Sequence, residues 1–222
     1  MEAGNKIGFR IFGWSEYANF GYILLAISII GGIWLIAKVG VGLLFIGLAG
    51  VFLGWAYSAS PLRLNGRGLG ELAVMLGFLG LVIGADFVQR SAFSVGPVIV
   101  GLPYAMLVTN LLFINQFPDF KADAAVGKRH LVVLLKPERA VYIYPLLVTA
   151  SLFWLFGMVT IHQLPNLSLI SALPMLLSFR AAWILKQFAK IPAQLRPAIQ
   201  LTIVAMLSHA LILSTILFLD TK

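Results

Sequence analysis

The sequence predicts an all-α integral membrane protein, a multi-helix transmembrane bundle with about seven spans. Of its 222 residues, 60% are hydrophobic and only 11% are charged, and the mean hydropathy is +0.97. These values lie far outside those of a soluble domain of this length. The apolar runs are continuous and do not alternate with period two. Helices, rather than a β-barrel, must therefore satisfy the backbone hydrogen bonds in lipid.

Each predicted span is close to the roughly 20 apolar residues that cross the hydrocarbon core. Together the spans leave little chain for a soluble domain, so we expect residues 1–222 to form a single transmembrane domain. In chain order they are Phe20–Ala37, Val41–Tyr57, Leu72–Phe87, Pro97–Ile114, Val141–Ile161, Leu167–Ile184 and Ile199–Leu219.

The net charge of +8 reflects topology rather than nucleic-acid binding, because most cations lie in alternate connections between the spans. The positive-inside rule places these connections and the N-terminus in the cytoplasm and the C-terminus outside, and we expect a bacterial inner (plasma) membrane. The cytoplasmic group is Lys6, Arg10, Arg63, Arg67, Lys121, Lys128, Arg129, Lys136, Arg139, Arg180, Lys186, Lys190 and Arg196. The opposite side has Lys38, Arg90 and Lys222.

Residues 1–20 lack the compact apolar core and the small-residue cleavage site of a signal peptide. They mix aromatic with charged side chains, which is typical of a segment at the level of the lipid headgroups. We expect a loop there, as if the chain began within a longer protein.

The second connection, residues 57–71, has the sequence YSASPLRLNGRGLGE. Its proline and glycines interrupt any continuous helix and leave backbone N–H groups free near Arg63 and Arg67. Such a loop can surround an anion.

The fourth connection begins with NQFPDFKADAAVGKRHL, residues 115–131. Asn115, Asp119 and Asp123 recur every four residues and would share one helical face over about 12 Å. Carboxylates presented in this way can bind a hard divalent cation, of which Mg2+ fits best, together with phosphate oxygens. Pro118 removes a helical hydrogen bond unless Asn115 caps a new helix, an arrangement that would keep this acidic ladder intact.

Each feature also has a plainer interpretation. An isolated pair of aspartates four residues apart is more often a solvated, charge-balanced loop. Juxtamembrane cations such as Arg63, Arg67, Lys128 and Arg129 usually fix orientation or contact anionic lipids. The two connections are informative together, because both are predicted at helix ends on one membrane face and both suit a metal-bound phosphate.

These residues resemble a known family. The segment NQFPDFKADAAVGKRHLVVLL is similar to the second aspartate-rich motif of the UbiA-type membrane prenyltransferases, an N-x3-D-x3-D ladder followed by G-K-R-x-L-x-V. YSASPLRLNGRGLGELAV resembles the Tyr-Ser, Pro-Leu-Arg and Gly-Leu-Gly-Glu segment of the same family. The resemblance covers most of the chain from Tyr57 to Leu135. It implies a nine-helix bundle around a central cavity, of which the spans here would be the last seven.

The resemblance also implies a reaction, the transfer of an isoprenyl group from a polyprenyl diphosphate to an aromatic acceptor in quinone biosynthesis. Mg2+ would neutralise the diphosphate leaving group. The catalytic residues would be Asp119, Asp123, Asn115 and Tyr57, with Asp119 and Asp123 as metal ligands. The diphosphate would contact Arg63, Arg67, Lys128 and Arg129.

Further roles follow from the same resemblance. The Tyr57 ring would face the diphosphate or the nascent carbocation, and Glu71 would orient Arg67 or hold its loop. His130 stands where the family often has a small hydroxyl residue, a tolerable substitution. The GLGE and GKR segments look more like the dihydroxynaphthoate prenyltransferases of menaquinone synthesis than like those acting on 4-hydroxybenzoate.

The chain departs from the family in lacking a counterpart of the first aspartate-rich motif, and we expect two N-terminal helices and that motif to be missing. A non-catalytic membrane subunit or inactive fragment is therefore one alternative. A small-solute transporter is another, although the internal repeats and broken helices typical of transporters are not found in the sequence.

Three polar features within or near the spans have structural interpretations. Asn110 and His209 are expected to form hydrogen bonds between helices rather than to bind a metal. Asp86 and Arg90 can pair across one helical turn.

Overall fold

The computed structural model describes the backbone of residues 14–220 and the side chains of residues 19–220. Every regular element in that part of the chain is helical, which confirms the all-α prediction. The α-helices are α1 (Trp14–Val39), α2 (Gly42–Ser58), α3 (Gly70–Arg90), α4 (Gly96–Ala125), α5 (Leu131–Leu135), α6 (Pro137–Ala140), α7 (Ile143–Thr160), α8 (Ala172–Met175), α9 (Leu177–Phe188) and α10 (Arg196–Asp220). The expected N-terminal loop, with Lys6 and Arg10, lies outside the described residues, as does Lys222.

Six helical segments of the described chain are long and apolar enough to cross a membrane. They contain α1, α3, α4, α7, α9 and α10. The remaining predicted span is α2, whose 17 residues lie at the short end of the spanning range. The seven apolar segments therefore follow the predicted order, and the chain is an integral membrane protein.

The sixth predicted span is not one continuous helix, which corrects the sequence interpretation. It consists of a 3-10 segment, Asn166–Ser171, followed by α8 and α9. Pro174 explains the interruption, because it has no N–H to donate to the carbonyl of Ile170 one turn earlier. His209 stabilises the irregular segment through its Nδ1, which lies 3.0 Å from the Ser171 carbonyl oxygen.

Helix α4 is the central element, packed against α3, α7 and α10. Its Phe113, Ile114 and Phe117 are fully buried in one apolar core with residues of α7, α9 and α10. Polar side chains join the helices as well. Asn110 Nδ2 donates to the Tyr144 carbonyl oxygen at 3.1 Å, so the interhelical hydrogen bonds predicted for Asn110 and His209 are confirmed.

The side chains of α1, α2 and α3 are buried against other helices far less than those of α4. The apolar side chains of α1 and α2 are largely exposed, and the three helices border an apolar cleft of about 880 Å³. Such surfaces are stable only against lipid or another apolar partner. This side of the bundle therefore faces an apolar environment.

The connections group at the two ends of the bundle as the charge pattern predicts. At one end the Arg129 backbone N–H donates to the Gly66 carbonyl oxygen at 3.2 Å, which joins the second and fourth connections. The ion pair of Lys190 with Glu138 joins the fourth and sixth connections at the same end. The predicted pair of Asp86 and Arg90 is also confirmed, with Arg90 Nε 2.7 Å from Asp86 Oδ1.

Candidate functional site

The acidic ladder lies on the last turns of α4, which continues without a break through Pro118 to Ala125. Of the two arrangements open to Pro118, the structure has the one in which the proline lies inside the helix and removes a hydrogen bond, and no new helix begins at Asn115. Asn115 does not cap; its Nδ2 donates to the Leu111 carbonyl oxygen at 2.8 Å, one turn back in the same helix. The buried packing of Phe113 and Phe117 holds the helix straight enough to tolerate the hydrogen bond that Pro118 removes.

The three ladder residues project from one face of α4, one turn apart and spread over about 12 Å along the helix axis. Asn115 and Asp119 are exposed, and Asp123 is partly buried. Among the described residues Asp119 has no hydrogen-bond or ion-pair partner. The Asp119 carboxylate is therefore open to a ligand, whereas that of Asp123 is held by its neighbours.

Gly127 forms the turn that gives Asp123 those neighbours. Its φ is +76°, a left-handed conformation that favours glycine after a helix end. The Lys128 backbone N–H then donates to the Asp123 carbonyl oxygen at 2.9 Å. As a result Lys128 Nζ lies 3.0 Å from Asp123 Oδ2, and His130 Nε2 lies 3.1 Å from the same oxygen.

His130 is almost completely buried, with 1% of its surface exposed. Burial lowers the pKa of its imidazole, and the Asp123 carboxylate opposes this shift. The neutral ring donates from Nε2 to Asp123, which leaves Nδ1 without a partner among the described residues. No local sequence pattern predicts this contact, since His130 lies seven residues from Asp123 and outside any helical repeat.

The second connection contributes Tyr57, Arg63 and Arg67. The Tyr57 ring packs beside the start of α3, where a Cβ on Gly70 would lie 3.5 Å from Tyr57 Cε2. Arg67 Nη2 donates to the Pro61 carbonyl oxygen at 2.6 Å and closes the loop. Arg63 is exposed, and no hydrogen bond or ion pair of its side chain falls among the described contacts.

Glu71 does not orient Arg67, so that expectation is wrong. The guanidinium is taken by a loop carbonyl, and Glu71 is buried in the first turn of α3 with 5% of its surface exposed. Neither of its carboxylate oxygens has a hydrogen-bond partner among the described residues. A backbone carbonyl can accept a hydrogen bond from an arginine in place of a carboxylate, and sequence spacing does not show which of the two is used.

The two connections pack on each other, which brings part of the predicted site together. A Cβ on Gly68 would lie 2.6 Å from Leu134 Cδ1 in α5. Lys128 and Glu71 both act electrostatically on Tyr57 and on His130. Lys128 and His130, which contact Asp123, thus lie in the connection that packs on the one carrying Tyr57 and Glu71, and these four residues are called the cluster. The side chains of Arg63 and Arg129 are exposed and are not drawn into it.

The ladder suits Mg2+ by the chemistry of its donors. Asp119 and Asp123 offer hard carboxylate oxygens, and Mg2+ commonly takes one or two carboxylates, with water and phosphate oxygens completing its coordination. No group of three or more His, Asp or Glu side chains suited to a metal lies within the described part of the chain. Such an ion would therefore need oxygens from its substrate.

Comparisons with known proteins identify the family of the chain. The family model described as the UbiA prenyltransferase family matches residues 18–217. A 1,4-dihydroxy-2-naphthoate octaprenyltransferase of Bacillus subtilis is 26% identical over 135 residues, which are 60% of this chain and 43% of that protein. A 2-carboxy-1,4-naphthoquinone phytyltransferase of Synechocystis is 34% identical over 137 residues, 58% of this chain and 43% of that protein.

A third relative is the bacteriochlorophyll synthase 33 kDa chain of Cereibacter sphaeroides, 37% identical over 94 residues, 41% of this chain and 31% of that protein. The matches thus span less than half the length of these three relatives. No solved structure matches the chain. Because the family model covers nearly the whole chain, this protein belongs to the UbiA prenyltransferase family.

Proposed function

We propose that this protein transfers an isoprenyl group from a polyprenyl diphosphate to an aromatic acceptor in the membrane. The observation that carries the proposal is the ladder of Asp119 and Asp123 with Lys128 at its end, beside the glycine-rich second connection. Family membership supports the same reaction class. An apolar bundle suits a hydrocarbon donor, and a charged helix end suits its diphosphate.

Each site residue has a separate task in this proposal. Asp119 and Asp123 would hold Mg2+, which neutralises the charge of the diphosphate as it leaves. Lys128 contacts the diphosphate directly, and Arg63 and Arg129 supply further cations from the two connections. The hydrogen bond from Arg67 to the Pro61 carbonyl oxygen holds the second connection closed. The Arg67 guanidinium also adds positive charge to the same end of the bundle.

The remaining two residues are Asn115, which contributes to the geometry of the ladder, and Tyr57, which stabilises the developing carbocation. Asn115 places its amide one turn before Asp119 on the same helical face and presents its free oxygen there. The face of the Tyr57 ring stabilises positive charge on the allylic carbon through its quadrupole.

The names of the relatives support a naphthoate as the acceptor. Two of them act on naphthoate or naphthoquinone compounds by name, and the chain resembles the same branch in its GLGE and GKR segments. The proposed reaction therefore belongs to quinone biosynthesis, and menaquinone synthesis is the best match. The distribution of cations supports an inner-membrane location with the site connections in the cytoplasm and the C-terminus outside.

Prenyl transfer by the purified chain tests the proposal. The assay combines Mg2+, a labelled polyprenyl diphosphate and either 1,4-dihydroxy-2-naphthoate or 4-hydroxybenzoate. We expect product with the naphthoate and a loss of about 100-fold or more in kcat for Asp119→Asn and Asp123→Asn. Asp86→Asn, at the opposite end of the bundle, is the matched control and keeps its activity. No product from the native chain would favour a non-catalytic membrane subunit.

A further inference from the structure

Glu71 is a buried carboxylate without a hydrogen-bond partner in the part of the chain that the structure describes. Only 5% of its surface is exposed, and among the described residues neither oxygen receives a hydrogen bond. Burying an unpaired carboxylate is costly, and a group that bears this cost usually meets a ligand or a bound water. The proposed roles of the ladder and of the cations leave Glu71 without a function.

The surroundings of Glu71 place it in the wall of the candidate site. Glu71 directly follows Gly70, which lies beside the Tyr57 ring, and the second connection is joined to the fourth by the hydrogen bond from the Arg129 N–H to the Gly66 carbonyl oxygen at 3.2 Å. His130 Nδ1 is a second buried polar atom without a partner among the described residues. Tyr57 and Lys128 are each only partly buried, so a molecule entering the cluster meets them first.

The charges of the cluster decide what kind of group Glu71 can bind. A diphosphate is an anion and is repelled by a carboxylate. The metal ion proposed here is held by Asp119 and Asp123, and Glu71 forms no metal-suited group of three with them in the described part of the chain. A neutral hydrogen-bond donor remains, and a hydroxyl group satisfies a carboxylate well.

The ring of Tyr57 identifies the class of molecule that carries this hydroxyl. A Cβ on Gly70, the residue before Glu71, would lie 3.5 Å from Tyr57 Cε2, so the Tyr57 ring lies within contact distance of the start of α3. An aromatic ring next to a carboxylate matches a phenolic compound, whose ring can pack against the edge of Tyr57 while its hydroxyl donates to the carboxylate. We infer that Glu71 accepts a hydrogen bond from a hydroxyl of the aromatic acceptor and thereby selects hydroxylated acceptors. The identity of this ligand as the acceptor depends on the proposed function.

Equilibrium binding tests the inference without requiring catalysis. The purified chain in nanodiscs is titrated with 1,4-dihydroxy-2-naphthoate, kept reduced, and with 1,4-dimethoxy-2-naphthoate, which has no hydroxyl hydrogen to donate. We expect the native chain to bind the dihydroxy compound about 10- to 100-fold more tightly, the range for one hydrogen bond to a charged group. In Glu71→Met this preference falls to about twofold or less, since the carboxylate is gone.

Stability measurements separate ligand binding from a structural role. Because an apolar side chain of similar length removes an unpaired buried charge, we expect Glu71→Met to be at least as resistant to thermal unfolding as the native chain. Glu71→Gln preserves the shape and shows a smaller loss of preference. Glu138→Gln, an exposed glutamate in the fourth connection, is the control and keeps the native preference.

Three results would overturn the inference. The native chain would bind both compounds equally, or fail to bind the dihydroxy compound, or keep its preference after both Glu71 substitutions. The outcome of the prenyl-transfer assay is independent of these binding results. A preference that depends on Glu71 without any transfer would refute the proposed reaction alone, and transfer with a preference unaffected at Glu71 would refute this inference alone.

Discussion

Replacing Gly127 by alanine tests whether the turn after α4 is under backbone constraint. The φ of Gly127 is +76°, and a Cβ added there would meet no atom within 4 Å. The substitution therefore adds about 1–2 kcal/mol of backbone strain and causes no steric overlap. We expect Gly127→Ala to lower the free energy of unfolding by that amount in detergent micelles, measured by chemical denaturation.

The control variants separate strain from the loss of a glycine as such. Gly66→Ala also adds a Cβ in open space, but Gly66 is not in the left-handed region, so we expect no loss of stability. Gly127→Asn recovers part of the loss, because asparagine tolerates the left-handed conformation. The reasoning would be refuted if Gly127→Ala were as stable as Gly66→Ala, or if asparagine were no better than alanine at position 127.

Other predictions concern the diphosphate and the core. Lys128→Met raises the KM for polyprenyl diphosphate about 10-fold or more, because it removes a charged contact. Lys38→Met, at the opposite end of the bundle, is the control and leaves the KM unchanged. Equal effects of the two substitutions would exclude Lys128 from the diphosphate site. Tyr144→Phe removes the 2.6 Å hydrogen bond to Thr202 and lowers the free energy of unfolding by about 1 kcal/mol without changing KM. A changed KM in Tyr144→Phe would contradict its purely structural role.

The fold could be predicted from the sequence because a membrane imposes the same requirement on every span. Each span must satisfy its own backbone, so continuous apolar runs indicate helices directly. The spacing of Asn115, Asp119 and Asp123 also predicts a shared face, since helical periodicity is a local property. The interruption at Pro174 was missed because apolar composition alone does not report where a helix breaks.

The rest of the site depends on contacts between distant segments, which local patterns do not contain. His130 reaches Asp123 only because Gly127 turns the chain back on the end of α4. Glu71 is buried only because the second connection folds against the fourth. Pro118 remains helical because tertiary packing outweighs the local preference of a proline to end a helix. These features were accessible only from the folded arrangement.

Asp119 and Asp123 are proposed to bind the donor through Mg2+. Calorimetric titration of the native chain in nanodiscs with farnesyl diphosphate, with and without Mg2+, tests this proposal most directly. We predict that Mg2+ tightens binding about 10-fold or more and that this gain disappears in Asp119→Asn and Asp123→Asn but not in Asp86→Asn. Equal affinity with and without Mg2+ in the native chain, or an undiminished gain in both ladder variants, would contradict the account.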